Sequence, residues 1–119
     1  MKKENIVLNK SLDFALCIIE FCELLEEKKK YVVANQLLRS GTSIGANIHE
    51  AQNPNSNNDF INKIKIAAKE AEETKYWLYL CEHAKSYPFE EDLKIKNNEI
   101  LLLLYKILST SIKNKNNNQ

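Results

Sequence analysis

The chain has 119 residues, with 17 basic and 16 acidic side chains, a net charge of +1 and 44% hydrophobic residues. That length suits one domain with a real core, the apolar content excludes global disorder, and the balanced charge lacks the basic surplus of a protein that binds nucleic acid through phosphates. With only two glycines and two prolines the chain offers few turns, which favours a few long helices over many strands.

The opening, MKKENIVLNK, has no apolar run of the signal-peptide kind, and no stretch approaches the ~18 apolar residues of a membrane span. A cytoplasmic protein with no membrane contact is expected. Residues 1–6 read as a polar lead-in. A first helix is predicted over 8–29, with two apolar stripes: Leu8, Leu12, Ala15, Ile19 and Cys22, and beside them Phe14, Ile18, Phe21 and Leu25. A helix with two stripes needs cover on more than one side; one cover is its own bundle, and a second subunit is a candidate for the other. Cys17, Cys22 and Cys81 form no CxxC pair and no zinc-ligand spacing, so they read as small core residues.

The second helix is predicted over 32–52. Its centre, QLLRSGTSIGANIHEAQ, holds both glycines, Gly41 and Gly45. Leu37, Ile44, Ile48 and Ala51 fall on one stripe at about 100° per residue. Ala34, Gly41 and Gly45 lie on one flank. Glycine inside a helix costs roughly 0.5–1 kcal/mol against alanine, so this flank predicts close approach of another backbone. Gln36, Ser40, Ser43, Asn47 and Glu50 lie on the other flank. Such groups must be solvated or hydrogen-bonded: a solvated strip, a polar network in the bundle or at a subunit contact, or a ligand site.

Pro54 in Asn53-Pro54-Asn55-Ser56 breaks the chain. A third helix is predicted over 57–86, capped by Asn57 or Asn58, with Phe60, Ile64, Ala67, Ala71, Thr74, Leu78 and Cys81 alternating by four and three as a bundle seam. Trp77 widens that seam and is expected to fill the core. Pro88 precedes a fourth helix, predicted over 90–112, whose LLLL at 101–104 reads as deeply enclosed. The tail 114–119, NKNNNQ, is expected to be disordered. Residues 1–113 are then one all-α domain, an antiparallel up-down-up-down four-helix bundle. The charge is even along the chain: residues 1–58 carry seven basic and seven acidic side chains, residues 59–119 ten and nine, so neither half is a basic arm.

No catalytic constellation emerges. His49-Glu50 begins like a zinc-protease HExxH, but Asn53 stands where the second histidine belongs. No Glu-x-x-His pair of a di-iron bundle occurs, and the glycines lack the spacing and lysine of a phosphate loop. Ser40 and Ser43 have no predicted base, since His49 faces another way. An enzyme, a metal and a cofactor are not expected.

QLLRSGTSIGANIHEAQ, with EAEETKYWLYL (Glu70 to Leu80) and the opening KSLDFALCIIEF, resembles the 23S rRNA intervening-sequence proteins, a four-helix-bundle family; the likeness covers nearly the whole chain. The family usually has a small residue where His49 stands. The resemblance implies a left-handed bundle, a homopentamer, a bacterial gene type found inside large-subunit rRNA genes, and no enzymatic role. The signature positions are Arg39, Ser40, Ser43, Asn47, Glu50, Glu73 and Trp77, which with Gly41 and Gly45 are the expected interface residues. A non-enzymatic oligomeric scaffold for a protein or RNA partner is the first expectation. The alternative is a nucleic-acid-binding accessory subunit like that of diversity-generating retroelements, a distant and markedly basic relative whose role the near-neutral charge fits poorly.

Overall fold

The computed structural model describes residues 5–117. Four helices follow one another: α1 Asn5–Glu27, α2 Tyr31–Ala51, α3 Asn57–His83 and α4 Glu91–Asn117. Among the described residues there is no strand, and no helix is long and apolar enough to cross a membrane.

Paired contacts give the direction of each helix. Ser11 and Ile18 of α1 face Gly45 and Gly41 of α2. Arg39 and Glu50 of α2 reach Glu70 and Lys63 of α3. Glu72 and Glu82 of α3 reach Tyr105 and Lys94 of α4, and Lys10 and Asp13 of α1 reach Glu99 and Lys96 of α4. In every pair the numbers run in opposite senses, so each helix is antiparallel to the next and α4 closes back on α1. The result is the expected up-down-up-down bundle, 53 × 23 × 22 Å.

The α1–α2 connection is short because α1 ends in a Schellman motif: Lys30 N–H donates to the Leu25 carbonyl at 2.8 Å and Lys29 N–H to that of Glu26 at 2.9 Å. Lys29 holds the left-handed position, φ 63°, where glycine is the usual residue. The left-handed residue stops the helix at Glu27, two residues before its predicted end. Ser56, rather than Asn57 or Asn58, caps α3, accepting from Asp59 N–H at 3.0 Å. α3 stops at His83, short of the predicted 86, where Ala84 turns extended.

Both termini of the bundle are more helical than expected. Asn5 and Ile6, assigned to the lead-in, belong to α1, and 1–4 lie outside the described residues. α4 runs through Asn117, so residues 114–117 of the predicted disordered tail form its last turn, while 118 and 119 lie outside the described residues. Lys115 Nζ donates to Asn58 Oδ1 at the start of α3, which gives this turn a neighbour the sequence pattern does not reveal.

Phe14, Ile18, Phe21 and Leu25 meet Leu37, Ile44 and Ile48, Ile64 and Leu78, and Leu93, Ile100 and Leu104 in one core. Of the two stripes predicted on α1, this one is buried whole; of the other, Cys22 is buried and Leu8 packs on the core, while Leu12 and Ile19, with Leu16 between them, face outward, 48%, 41% and 64% exposed. The LLLL turn is not enclosed all round: Leu101 and Leu104 are buried, but Leu102 is 71% exposed. Antiparallel packing covers α4 on the sides that meet α3 and α1 and leaves its outer side bare.

Candidate functional site

The expected site residues fall in two seams. Gly41 and Gly45 sit in the α1–α2 seam, where they admit α1. A Cβ on Gly41 would stand 2.9 Å from Ile18 Cγ2 and 3.0 Å from its Cγ1, while one on Gly45 would reach ordinary contact, 3.4 Å, with the Ser11 carbonyl and hydroxyl. The polar flank of α2 lies on the opposite side, against α3.

There Arg39 bridges two carboxylates of α3. Its Nη1 lies 3.3 Å from Glu70 Oε1, and Nη2 bonds Glu73 Oε2. The same Glu73 oxygen accepts Trp77 Nε1–H at 3.0 Å. The Trp77 N–H, with the Arg39 guanidinium second, holds the Glu73 carboxyl below its ordinary range, and Glu73 in turn raises Arg39. Trp77 is therefore half-buried on this seam rather than in the core: its N–H needs an acceptor, and Glu73, one turn back on the same helix, supplies it. One turn further in, Thr74 Oγ1 donates to Ser40 Oγ at 2.9 Å, both residues fully buried, and Ser40 Oγ lies 3.5 Å from the Leu37 carbonyl. At the far end Glu50 pairs with Lys63 at 2.9 Å.

Ser43 and Asn47 do not cross the seam. Ser43 Oγ donates to the Arg39 carbonyl at 2.6 Å, and Asn47 Nδ2 to the Ser43 carbonyl at 2.9 Å. Of the three readings of the polar flank, the network within the bundle describes Ser40 and Glu50, the solvated strip describes exposed Gln36, and Ser43 and Asn47 bond within α2. Glu70 was not singled out, although it precedes Glu73 by one turn and so shares its reach toward α2.

The seam aligns helices and neutralises charge. Neither buried hydroxyl touches a base, and among the described residues no three His, Cys, Asp or Glu side chains gather as a metal site. Cys22 and Cys81 are buried free thiols. Burial and the facing Cys81 push Cys22 up to about 12, and burial pushes Cys81 up to about 11.

Charge also segregates by helix, which a count by halves hides. α1 carries Lys10 against Asp13, Glu20, Glu23, Glu26 and Glu27, whereas residues 100–117 carry Lys106, Lys113 and Lys115 and no acid. The acidic helix is the one with the exposed apolar stripe, and the outer face of α4 adds Ile95 and Leu102 beside its lysines. The Lys28–Lys30 run and the Lys113–Lys115 pair lie at opposite ends of the bundle, as Lys30 against Ser86 and Lys115 against Asn58 mark them.

The chain matches, over residues 3–106, the family of the 23S rRNA-intervening sequence protein. It is also similar to a crystal structure of a protein with unknown function from the S23 ribosomal protein family of Bacteroides thetaiotaomicron VPI-5482. That likeness has a TM-score of 0.85 and 46% identity, and covers 91% of this chain and 99% of that chain. Among curated proteins none matches significantly.

Proposed function

Since the chain belongs to the 23S rRNA-intervening sequence protein family, we propose that it is a non-enzymatic cytoplasmic scaffold that self-associates and presents the assembled surface to a protein or RNA partner. The exposed stripe Leu12–Leu16–Ile19 on the acidic helix carries this reading. Its chemistry complements the outer face of α4, where Leu102 lies beside Lys106. Two different, complementary surfaces join copies head to tail, and head-to-tail contacts close into rings. A ring of five is the count that the family resemblance implies.

Light scattering on the purified chain tests the assembly. We expect an oligomer at micromolar concentration that Leu16→Lys, which places a cation among the acids of α1, converts to monomer with its helix content intact. A wild-type chain that stays monomeric refutes the assembly.

A second reading, a nucleic-acid-binding subunit, is favoured by the acid-free run of Lys106, Lys113 and Lys115. Titration of labelled rRNA fragments at about 50 and 200 mM salt tests it, because phosphate contacts weaken steeply between those salts. Binding at low salt that is lost when the three lysines become glutamate supports an RNA partner. Absence of binding at both salts removes this reading and leaves a protein partner.

A further inference from the structure

At the end where α1 and α3 begin and α2 and α4 finish, the described residues enclose a hollow of about 600 Å³, within the size range of small-molecule sites. Buried Val7, Ala51 and Ile64 form part of its lining, and half-buried Phe60, Leu103 and Ile107 add to it. Large apolar side chains that meet a hollow instead of one another leave apolar surface for a guest to cover.

Most of the polar side chains around it come from α4. Lys106, Thr110 and Ser111, all from α4, bring an ammonium and two hydroxyls. Gln52 donates one amide N–H to the Ile48 carbonyl at 2.9 Å and keeps its second N–H and its Oε1. Among the described residues no carboxylate lines the hollow and no acid pairs with Lys106. The hollow therefore combines an apolar body with a rim that donates hydrogen bonds and carries positive charge. We propose that this end of the bundle binds a single-tailed anionic amphiphile, a medium-chain carboxylate, with its tail among Phe60, Leu103 and Ile107 and its head at Lys106. A cationic head would meet Lys106 with like charge, and a neutral head would leave the ammonium unused. The site lies away from the polar seam and shares Lys106 with the α4 face of the scaffold reading, so Thr110→Trp, outside that face, tests the site separately from the assembly.

Calorimetric titration of the full-length chain with dodecanoate, dodecanol and dodecyltrimethylammonium, below their micellar concentrations, tests this. The expected result is saturable binding of one dodecanoate per chain, preferred over the cation by about fivefold or more. Lys106→Glu should reverse that preference, and Thr110→Trp, a change at the exposed rim that leaves the core untouched, should abolish binding with helix content unchanged. The proposal is overturned if dodecanoate does not saturate, if Lys106→Glu leaves the order of the three ligands unchanged, or if Thr110→Trp binds as wild type does. A crystal structure in which the chain's own N-terminal residues or a second copy fill the hollow also overturns it.

Discussion

Gly41 and Ile18 define how closely α1 and α2 approach: the Cβ that Gly41 lacks would overlap the branched carbons of Ile18, at 2.9 and 3.0 Å. Ile18 is fully buried and branched at Cβ, so it has no free rotamer into which to retreat. Gly45, four residues on, has more room. The two glycines therefore differ in kind, although their spacing suggests one motif.

Alanine separates them. Replacing either glycine gains up to ~1 kcal/mol of helix propensity. At Gly41 that gain is opposed by overpacking of about 1–3 kcal/mol, so Gly41→Ala should destabilise. At Gly45 the new methyl reaches only ordinary contact, so Gly45→Ala should be neutral or stabilising, whereas Gly45→Leu should lose about 1–3 kcal/mol. Urea unfolding of the three variants checks the order; equal effects of the two alanine changes would contradict the geometry.

The grip on Glu73 should make stability depend on pH. Its folded carboxyl titrates below the usual value of 4.5 because of Trp77 first and Arg39 second. A depressed carboxyl contributes stability that is complete above the unfolded value and is lost as pH falls through the folded one. With Arg39 48% and Glu73 36% exposed, solvent screening limits the effect to about 1 kcal/mol. Unfolding free energies at pH 7 and pH 3 should differ less in Glu73→Gln and Trp77→Phe than in wild type. An unchanged difference would show that the carboxylate is free in solution.

Lys29 holds a left-handed backbone without being glycine. Such a residue costs on the order of 1 kcal/mol or more, part of which glycine returns as unfolded-chain entropy. Lys29→Gly should therefore stabilise by about 0.5 kcal/mol, and Lys29→Val, branched at Cβ, should destabilise. Chemical denaturation of both checks the sign.

The three thiols should react in two classes. Cys17 is half-buried, with its sulfur 3.5 Å from Lys96 Nζ, while burial raises Cys22 and Cys81 to about 12 and about 11. At pH 8 a thiol-specific chromogenic disulfide should titrate one thiol per folded chain quickly and all three in denaturant. Fast reaction of two or more in the folded chain would mean that the core opens around Cys22 or Cys81.

Much of the fold was legible because helical periodicity is a local property. The seam of α3, the core stripe of α2 and the break at Pro54 follow from spacing and backbone chemistry alone, and they suffice for four antiparallel helices. The family was legible for a related reason: its two signature stretches are contiguous in sequence. What periodicity does not contain is which stripe a neighbour covers. On α1 the stripes through Leu12 and Phe14 look alike in sequence, and only the positions of α2 and α4 bury the second whole and leave Leu12 and Ile19 of the first outside. The same holds for Trp77, drawn to the seam by a carboxylate one turn away, and for Leu102, left bare in an apolar run. The site itself was half legible. Ser40 was marked by pattern and Arg39 and Glu73 by the family resemblance, but Arg39 to Glu70 and Ser40 to Thr74 join residues more than thirty apart, and such pairs exist only after two helices set their register. Register comes from close packing, here from the missing Cβ of Gly41 on one side of α2 and the buried hydroxyls of Ser40 and Thr74 on the other, and that is why tertiary structure alone decided it.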